Sequence, residues 1–292
     1  MISRCAPILI AISSMLVFSG PNSIASEPDS LEALFGKSIP ENAKTATALS
    51  YHDIAINQSA ARNKEALVLL SKYKIAGEAF YARSDRLNSP YNQCLCAEDE
   101  PLKARKTIAE KLCRVNKRLA ALGLELFVLD AYRPVSCQRK LWNYFILEAR
   151  RRLGDRPASE LIEYAGKFCS DPTKYEKDNY KSWPTHLSGG AIDLTIRRKN
   201  GELLFMGGIF DDASEQSKTA YFETPAEKKL ADSSDSASVN EARRNRRLLY
   251  WLMTEEGFAN YPYEWWHFDF GNQMWIQNSL DKKGKEAFYG AI

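Results

Sequence analysis

The stretch GGAIDLTIRRKNGELLFM, residues 189–206, constrains the fold more than any other part of the chain. It reads as two strands joined at Asn200-Gly201, two residues that tolerate positive φ and so favour a tight hairpin turn. An antiparallel pair is therefore expected. Along the first strand, alternation sets Ile192, Leu194 and Ile196 on one face and Ala191, Asp193 and Thr195 on the other. Aspartate fits poorly in mid-strand, so Asp193 must gain something from its position. His186 lies seven residues earlier, ahead of Gly189 and Gly190, whose backbone freedom can fold the loop over the strand.

Upstream, Pro101 suits the first turn of a helix whose apolar positions Ile108, Leu112, Val115, Leu119 and Leu122 recur every three or four residues, with Gly123 as its stop. LELFVLD, Leu124 to Asp130, has the length and composition of a buried strand, and Pro134 breaks regular pairing after it. A second helix is expected from Val135 to about Arg152. Residues 207–236 are long, polar and aperiodic, which in a compact domain signals a functional or disordered loop. SVNEARRNRRLLYWLMTEEG reads as a helix capped by Gly257, its RRNRR run being a solvated face with no assigned role. EWWHFDF closes the pattern as a last strand. Segregated helices and antiparallel strands indicate an α+β fold: one domain, with a central antiparallel sheet and helices packed around it.

The first 25 residues have the tripartite layout of a secretory signal: Arg4, an apolar run from Ala6 to Phe18, then small residues ending at Ala25. That run is short for a bilayer span, so an exported protein without a membrane anchor after signal removal is expected, most simply periplasmic. Residues 26–64 are polar and aperiodic and read as a lead-in of little function, with the catalytic domain over 65–292. The full chain carries 40 basic and 37 acidic residues, and losing Arg4 leaves a balance that argues against a nucleic-acid partner. Outside the signal there are five cysteines, Cys94, Cys96, Cys113, Cys137 and Cys169, an odd number that suggests one or two disulfides plus a spare thiol. Cys94-Leu95-Cys96 lacks the spacing and second pair of a structural zinc site.

The chain has three histidines. His267 shares a strand face with Trp265 and Asp269, while Trp266, Phe268 and Phe270 point the other way. A lone histidine or aspartate is more often a satisfied structural residue. Together, however, His186, Asp193 and His267 make the two-imidazole, one-carboxylate set of a catalytic zinc that keeps a fourth position open. Glu264 would face away from His267 in an unbroken strand, but Pro262 suggests a turn or bulge that lets it swing beside water at that position, as a proton shuttle. In DAYRP, Asp130 to Pro134, Arg133 suits a developing negative oxygen, and a structural Asp130/Arg133 ion pair is equally compatible.

In this order, DAYRP, HLSGGAIDLT, GELLFMG..FD, NRR and EWWH resemble the D-alanyl-D-alanine dipeptidases of the vancomycin-resistance type. That zinc peptidase family shares its fold with D,D-carboxypeptidases and hedgehog domains, and the resemblance covers roughly residues 65–275. It implies one Zn2+ per chain on His186, Asp193 and His267, Glu264 as catalytic base, Arg133 as support for the transition state, and Asp211 as the holder of the substrate's free amine. The chain departs from the family in two places. Pro184 stands where a serine is usual two residues before the first histidine, and YKIAGEAFY occupies the place of an Asp-Asn-Phe motif. Both touch substrate recognition rather than metal chemistry.

The expected activity is zinc-dependent hydrolysis of a small D,D-dipeptide, D-Ala-D-Ala, in an exported compartment, for turnover or salvage of wall fragments. A D,D-carboxypeptidase or peptidoglycan endopeptidase on the same fold is the alternative enzyme, and a zinc-containing binding module without activity the alternative of another class. A free-amine requirement separates the first two, and intact Glu264 argues against the third.

Overall fold

The computed structural model describes residues 30–40, 50–97, 100–212, 214–223, 236–281 and 286–292. The expected signal segment, residues 1–25, lies outside them, as do residues 224–235 of the expected loop. The chain forms six helices and two sheets among the described residues: α1 (Leu31–Gly36), β1 (Leu67–Leu69), β2 (Ala76–Gly77), β3 (Lys103–Arg105), α2 (Lys106–Leu119), β4 (Leu124–Asp130), α3 (Val135–Leu153), α4 (Ala158–Ala165), β5 (Ala191–Arg198), α5 (Ser236–Glu255), β6 (Ala259–Asn260), β7 (His267–Asp269) and α6 (Gln273–Asn278). The α+β class holds. The central sheet has the order β2-β4-β5-β7-β6; its four C-terminal strands pair antiparallel, and the two-residue edge strand β2 adds a parallel pair to β4.

The alternation read along β5 decides how the sheet is covered. Ile192, Leu194 and Ile196 are fully buried and join one core cluster with Leu126 and Val128 of β4, Phe268 of β7, and Ile108, Leu112, Val115 and Leu119 of α2. Pro101 does not open α2. Residues 103–105 extend instead to pair with β1, and the helix starts at Lys106. Leu119 ends it, and a 3-10 turn then leads to Gly123, whose φ of 69° only glycine adopts readily. The hairpin turn at Asn200-Gly201 forms as expected, with Gly201 at φ 94°, Arg198 N donating to Glu202 O and Leu204 N to Ile196 O. Its returning arm pairs with β5 only briefly, at Leu203.

Register turns the sheet into a scaffold for polar groups. Asp193 of β5 lies opposite His267 of β7 on one side and Asp130 of β4 on the other. A register shift between Val128 and Asp130 produces this row: Val128 faces Leu194, and the extra residue Leu129 carries Asp130 into line with Asp193. Three ionisable side chains thus come to one face from three strands.

Two further expectations are corrected. The RRNRR run is not a wholly solvated face: Arg246 is 2% exposed and donates to the carbonyls of Met206, Gln216 and Lys218 at 2.6, 2.7 and 2.8 Å. Three peptide carbonyls accepting from it make that buried guanidinium tolerable, and it ties both limbs of the loop after the hairpin to α5. The cysteines form one disulfide, Cys96–Cys137, and leave three thiols, Cys94, Cys113 and Cys169. The bridge fixes the start of α3, four residues after Arg133. Upstream, α1 packs on α5: Leu34 is fully buried, and Arg247 and Trp251 donate to the carbonyls of Gly36 and Lys37.

Candidate active site

All six residues singled out in the sequence line one cavity of about 410 Å³. His186 sits in a 3-10 turn, Thr185–Ser188, which Gly189 ends with a left-handed φ of 66°. At Gly190 a Cβ would meet the carbonyl oxygen of Phe270 at 2.5 Å, so only glycine lets this loop lie so close to the end of β7. His186 Nδ1 lies 2.8 Å from Ala131 O and 3.2 Å from Asp130 Oδ2. Bonding at Nδ1 leaves Nε2 as the free lone pair, 3.4 Å from Asp193 Oδ2.

His267 is held the opposite way round. Its Nε2 lies 3.0 Å from Asp269 Oδ2, and Asn272 donates to the other oxygen of that carboxylate at 2.7 Å. Nδ1 therefore faces Asp193 Oδ1, at 2.9 Å. One ligand atom from each of His186, Asp193 and His267 lies within 4.8 Å of the others. Ligands about 2.1 Å from a tetrahedral zinc stand roughly 3.4 Å apart, so these spacings fit such an ion with little movement. Each ring also has a backbone or carboxylate acceptor on its outer nitrogen, the arrangement that fixes tautomer and aim in metal-binding histidines.

Burial pushes the His186 imidazole down to about 3, against the pull of Asp193, so it is neutral and able to donate a lone pair. For His267, burial lowers the proton affinity, but Asp269 and Asp193 outweigh it and leave the imidazole well above its usual range. Asp193 feels burial as a rise, which His186, His267 and Arg133 overcome, so its carboxyl stays below the ordinary value.

Glu264 is in a turn, as its proximity to Pro262 suggested: its N–H donates to Tyr261 O at 3.0 Å, and His267 N–H donates back to Glu264 O at 3.2 Å. The expected last strand is therefore shorter, beginning at His267. The turn brings Glu264 Oε2 to 3.7 Å from His267 Nδ1. Burial pushes the Glu264 carboxyl up to about 8, against the lowering effect of His267. Arg133 donates from Nε to Asp130 Oδ2 at 2.9 Å and from Nη1 to Gln138 Oε1 at 2.9 Å, with Nη2 2.7 Å from Asp130 and 3.7 Å from Asp193. The structural ion pair exists, and the guanidinium has further N–H groups beside the cavity.

Asp211 adopts a left-handed φ of 59°, which aspartate tolerates better than most residues. Its Oδ2 accepts from the hydroxyls of Tyr81 at 2.5 Å and Tyr91 at 2.9 Å. Burial lifts its carboxyl to about 6, with the two phenols opposing the rise. The sequence reading missed both tyrosines. Tyr81 is the last residue of the YKIAGEAFY stretch, which stands in place of the Asp-Asn-Phe motif and touches substrate recognition. It also assigned no role to Asp269, although the two-residue alternation from His267 pointed straight at it.

A family model described as D-ala-D-ala dipeptidase (Peptidase_M15) matches residues 75–284. The chain belongs to the D-Ala-D-Ala dipeptidase family. Proteins named D-alanyl-D-alanine dipeptidase are similar to it: one from Synechocystis is 28% identical over 66% of this chain and 80% of its own length. One from Escherichia coli is 30% identical over 67% of this chain and 72% of its own, and one from Enterococcus faecium is 32% identical over 60% and 76%. A D-Ala-D-Ala dipeptidase fold thus explains why a small polar cavity lies beside a His/Asp/His cluster that could hold a metal ion. Among the described residues, no helix of this family member is long and apolar enough to cross a membrane.

Proposed function

We propose that this protein is a zinc-dependent D-alanyl-D-alanine dipeptidase acting in an exported compartment, where it recycles fragments of the cell wall. The observation that carries the zinc reading is the convergence of His186 Nε2, Asp193 and His267 Nδ1, each ring with its outer nitrogen already occupied. Zinc bound there would polarise the scissile carbonyl and make water a nucleophile near neutral pH. Glu264, beside the cluster, would be ionised by the charge of a cation held there despite its burial; it accepts the proton of the attacking water and returns it to the leaving amine as the C–N bond breaks. Arg133 stays ionised, because Asp130 and its other acidic neighbours outweigh the effect of burial. Its remaining N–H groups stabilise the oxygen on which charge develops.

Asp211 takes the substrate's ammonium. A carboxylate already oriented by Tyr81 and Tyr91 is a preformed acceptor for a charge-assisted bond, which favours a free N-terminus over an acylated peptide. The signal-like first 25 residues support export, and an exported enzyme meets released wall fragments rather than newly made precursor. The test is to assay the mature protein, with and without a chelator, on D,D-, L,D- and L,L-dipeptides and on N-acylated analogues. Chelator-sensitive hydrolysis of free D-Ala-D-Ala supports the proposal. Preference for the acylated peptides would replace it with a carboxypeptidase, and inactivity of the zinc-loaded protein would replace it with a binding module.

A further inference from the structure

Arg133 is held from several sides, and the contacts do not restrain it equally. Its Nε and Nη2 both reach the same atom, Asp130 Oδ2, at 2.9 and 2.7 Å. Two contacts that converge on one oxygen leave the guanidinium a pivot, unlike the two-oxygen fork that locks an arginine to a carboxylate. The Tyr81 ring covers one face of the group, with Cζ 4.6 Å from the ring centroid. Contact with a ring face keeps the guanidinium flat against it but does not stop it turning in its own plane. A third partner stops that turn: Gln138 Oε1 accepts from Nη1 at 2.9 Å, on a nitrogen other than the two at Asp130 Oδ2.

Gln138 is itself fixed. It lies in the first turn of α3, is 2% exposed and lines the cavity, yet falls outside every motif that carries the family resemblance. Its Nε2 donates at 2.9 Å to the carbonyl of Ser170, which belongs to another stretch of the cavity wall. That bond sets which way round the amide lies. Reversed, it would turn an NH2 toward the guanidinium and an oxygen toward the carbonyl. The backbone beneath is anchored as well: Cys137 is bridged to Cys96, and the Gln138 N–H donates to Pro134 O at 3.1 Å. Asp130 lies 3.2 Å from His186, so a change there reaches the metal cluster, whereas the Gln138 amide bonds Arg133 and Ser170.

We infer that Gln138 is the positioning residue for Arg133. Its amide oxygen fixes the rotation of the guanidinium about Asp130 Oδ2, and so aims the remaining N–H groups at the oxygen on which charge develops. The inference rests on the dipeptidase reading and on the role given there to Arg133. Donors to such an oxygen act through exact placement, so a guanidinium free to swing loses transition-state stabilisation while substrate binding is kept.

The test measures kcat and KM for D-Ala-D-Ala, zinc content and the urea midpoint on the parent, Gln138→Met, Gln138→Glu, Arg133→Lys and the double variant Arg133→Lys/Gln138→Met. Methionine has similar length and no comparable acceptor, so Gln138→Met should lower kcat by about tenfold or more, with KM within about threefold and zinc retained. Glutamate keeps an acceptor for Nη1, and its kcat should return to within about threefold of the parent's. Lysine keeps a cation for Asp130 but has no Nη1, so in that background Gln138→Met should cost less than about twofold more. A purely structural glutamine would give the same loss in both backgrounds. An active parent with an equal loss in both backgrounds, or with kcat unchanged in Gln138→Met, overturns the inference alone. If Gln138→Met loses its zinc or its folding transition, Gln138→Glu decides: kcat near the parent's supports the inference, and a tenfold loss overturns it. A parent that does not hydrolyse D-Ala-D-Ala overturns the dipeptidase reading as well.

Discussion

Asp269 Oδ2 lies 3.0 Å from Nε2 of His267, and this contact leaves the ring's Nδ1 facing Asp193. Asp269 is fully buried and accepts a second bond from Asn272, so its own position is fixed. Partners of this kind orient a metal-binding imidazole, and their loss typically costs about 10- to 100-fold in metal affinity. Asp269→Ala is expected to weaken zinc binding by that order, measured by competition with a chromophoric chelator. Unchanged affinity would leave Asp269 a purely structural residue.

Glu264 is expected to act on chemistry rather than on metal binding. Its nearest oxygen is 3.7 Å from His267 Nδ1, beside the cluster but outside the closest set of ligand atoms. General acid/base groups contribute about 10²- to 10⁴-fold, so Glu264→Gln should lower kcat by that order while zinc content holds. Loss of zinc in the same preparation would make Glu264 a ligand or a support instead.

Asp211 must be ionised to hold an ammonium, and burial lifts its carboxyl to about 6. The group is a carboxylate above that value and neutral below it. KM for D-Ala-D-Ala should therefore rise as pH falls through 6, by about tenfold at one unit below, and Asp211→Asn should raise KM and flatten the dependence. A KM independent of pH between 5 and 8 in the parent would remove this role. The same shift has a stability sign: ionising a buried acid whose folded value is raised is costly, so this group contributes less stability as pH rises from the unfolded carboxylate range through 6.

Arg246 holds three carbonyls of the loop that carries Asp211, and its guanidinium lies over the rings of Phe222 and Trp265. Arg246→Ala removes the donor of the Met206 and Gln216 carbonyls, leaves Lys218 O only its bond from Tyr221 N–H, and opens a void. The expected cost is about 3 kcal/mol or more, read as a lower denaturation midpoint in urea, with KM raised because Asp211 loses its support. A midpoint equal to the parent's would show that this buried arginine is dispensable.

The sequence made the site legible where its chemistry follows local periodicity. Alternation around Asp193 and the turn before His267 are short-range features, and the structure keeps both. What escaped the sequence depends on contacts between distant residues. Tyr81 and Tyr91 meet Asp211 only because the segment around residues 80–91 lies against the loop after the hairpin, 130 and 120 residues away. Arg246 looked solvated because a basic run says nothing about carbonyls 28 to 40 residues off that turn one member of it inward. Pro101 was misread for a related reason: a helix-start signal was overridden by pairing of residues 103–105 with a strand more than 30 residues earlier.

The most direct test of the central claim measures zinc content and D-Ala-D-Ala turnover on the same preparations of the parent and His267→Ala. The parent is expected to carry one zinc per chain, to lose turnover in chelator and to regain it on adding zinc. His267→Ala should lack most of the metal and the activity together. A His267→Ala protein that keeps full zinc and full turnover would contradict the assignment of His186, Asp193 and His267 as the metal site.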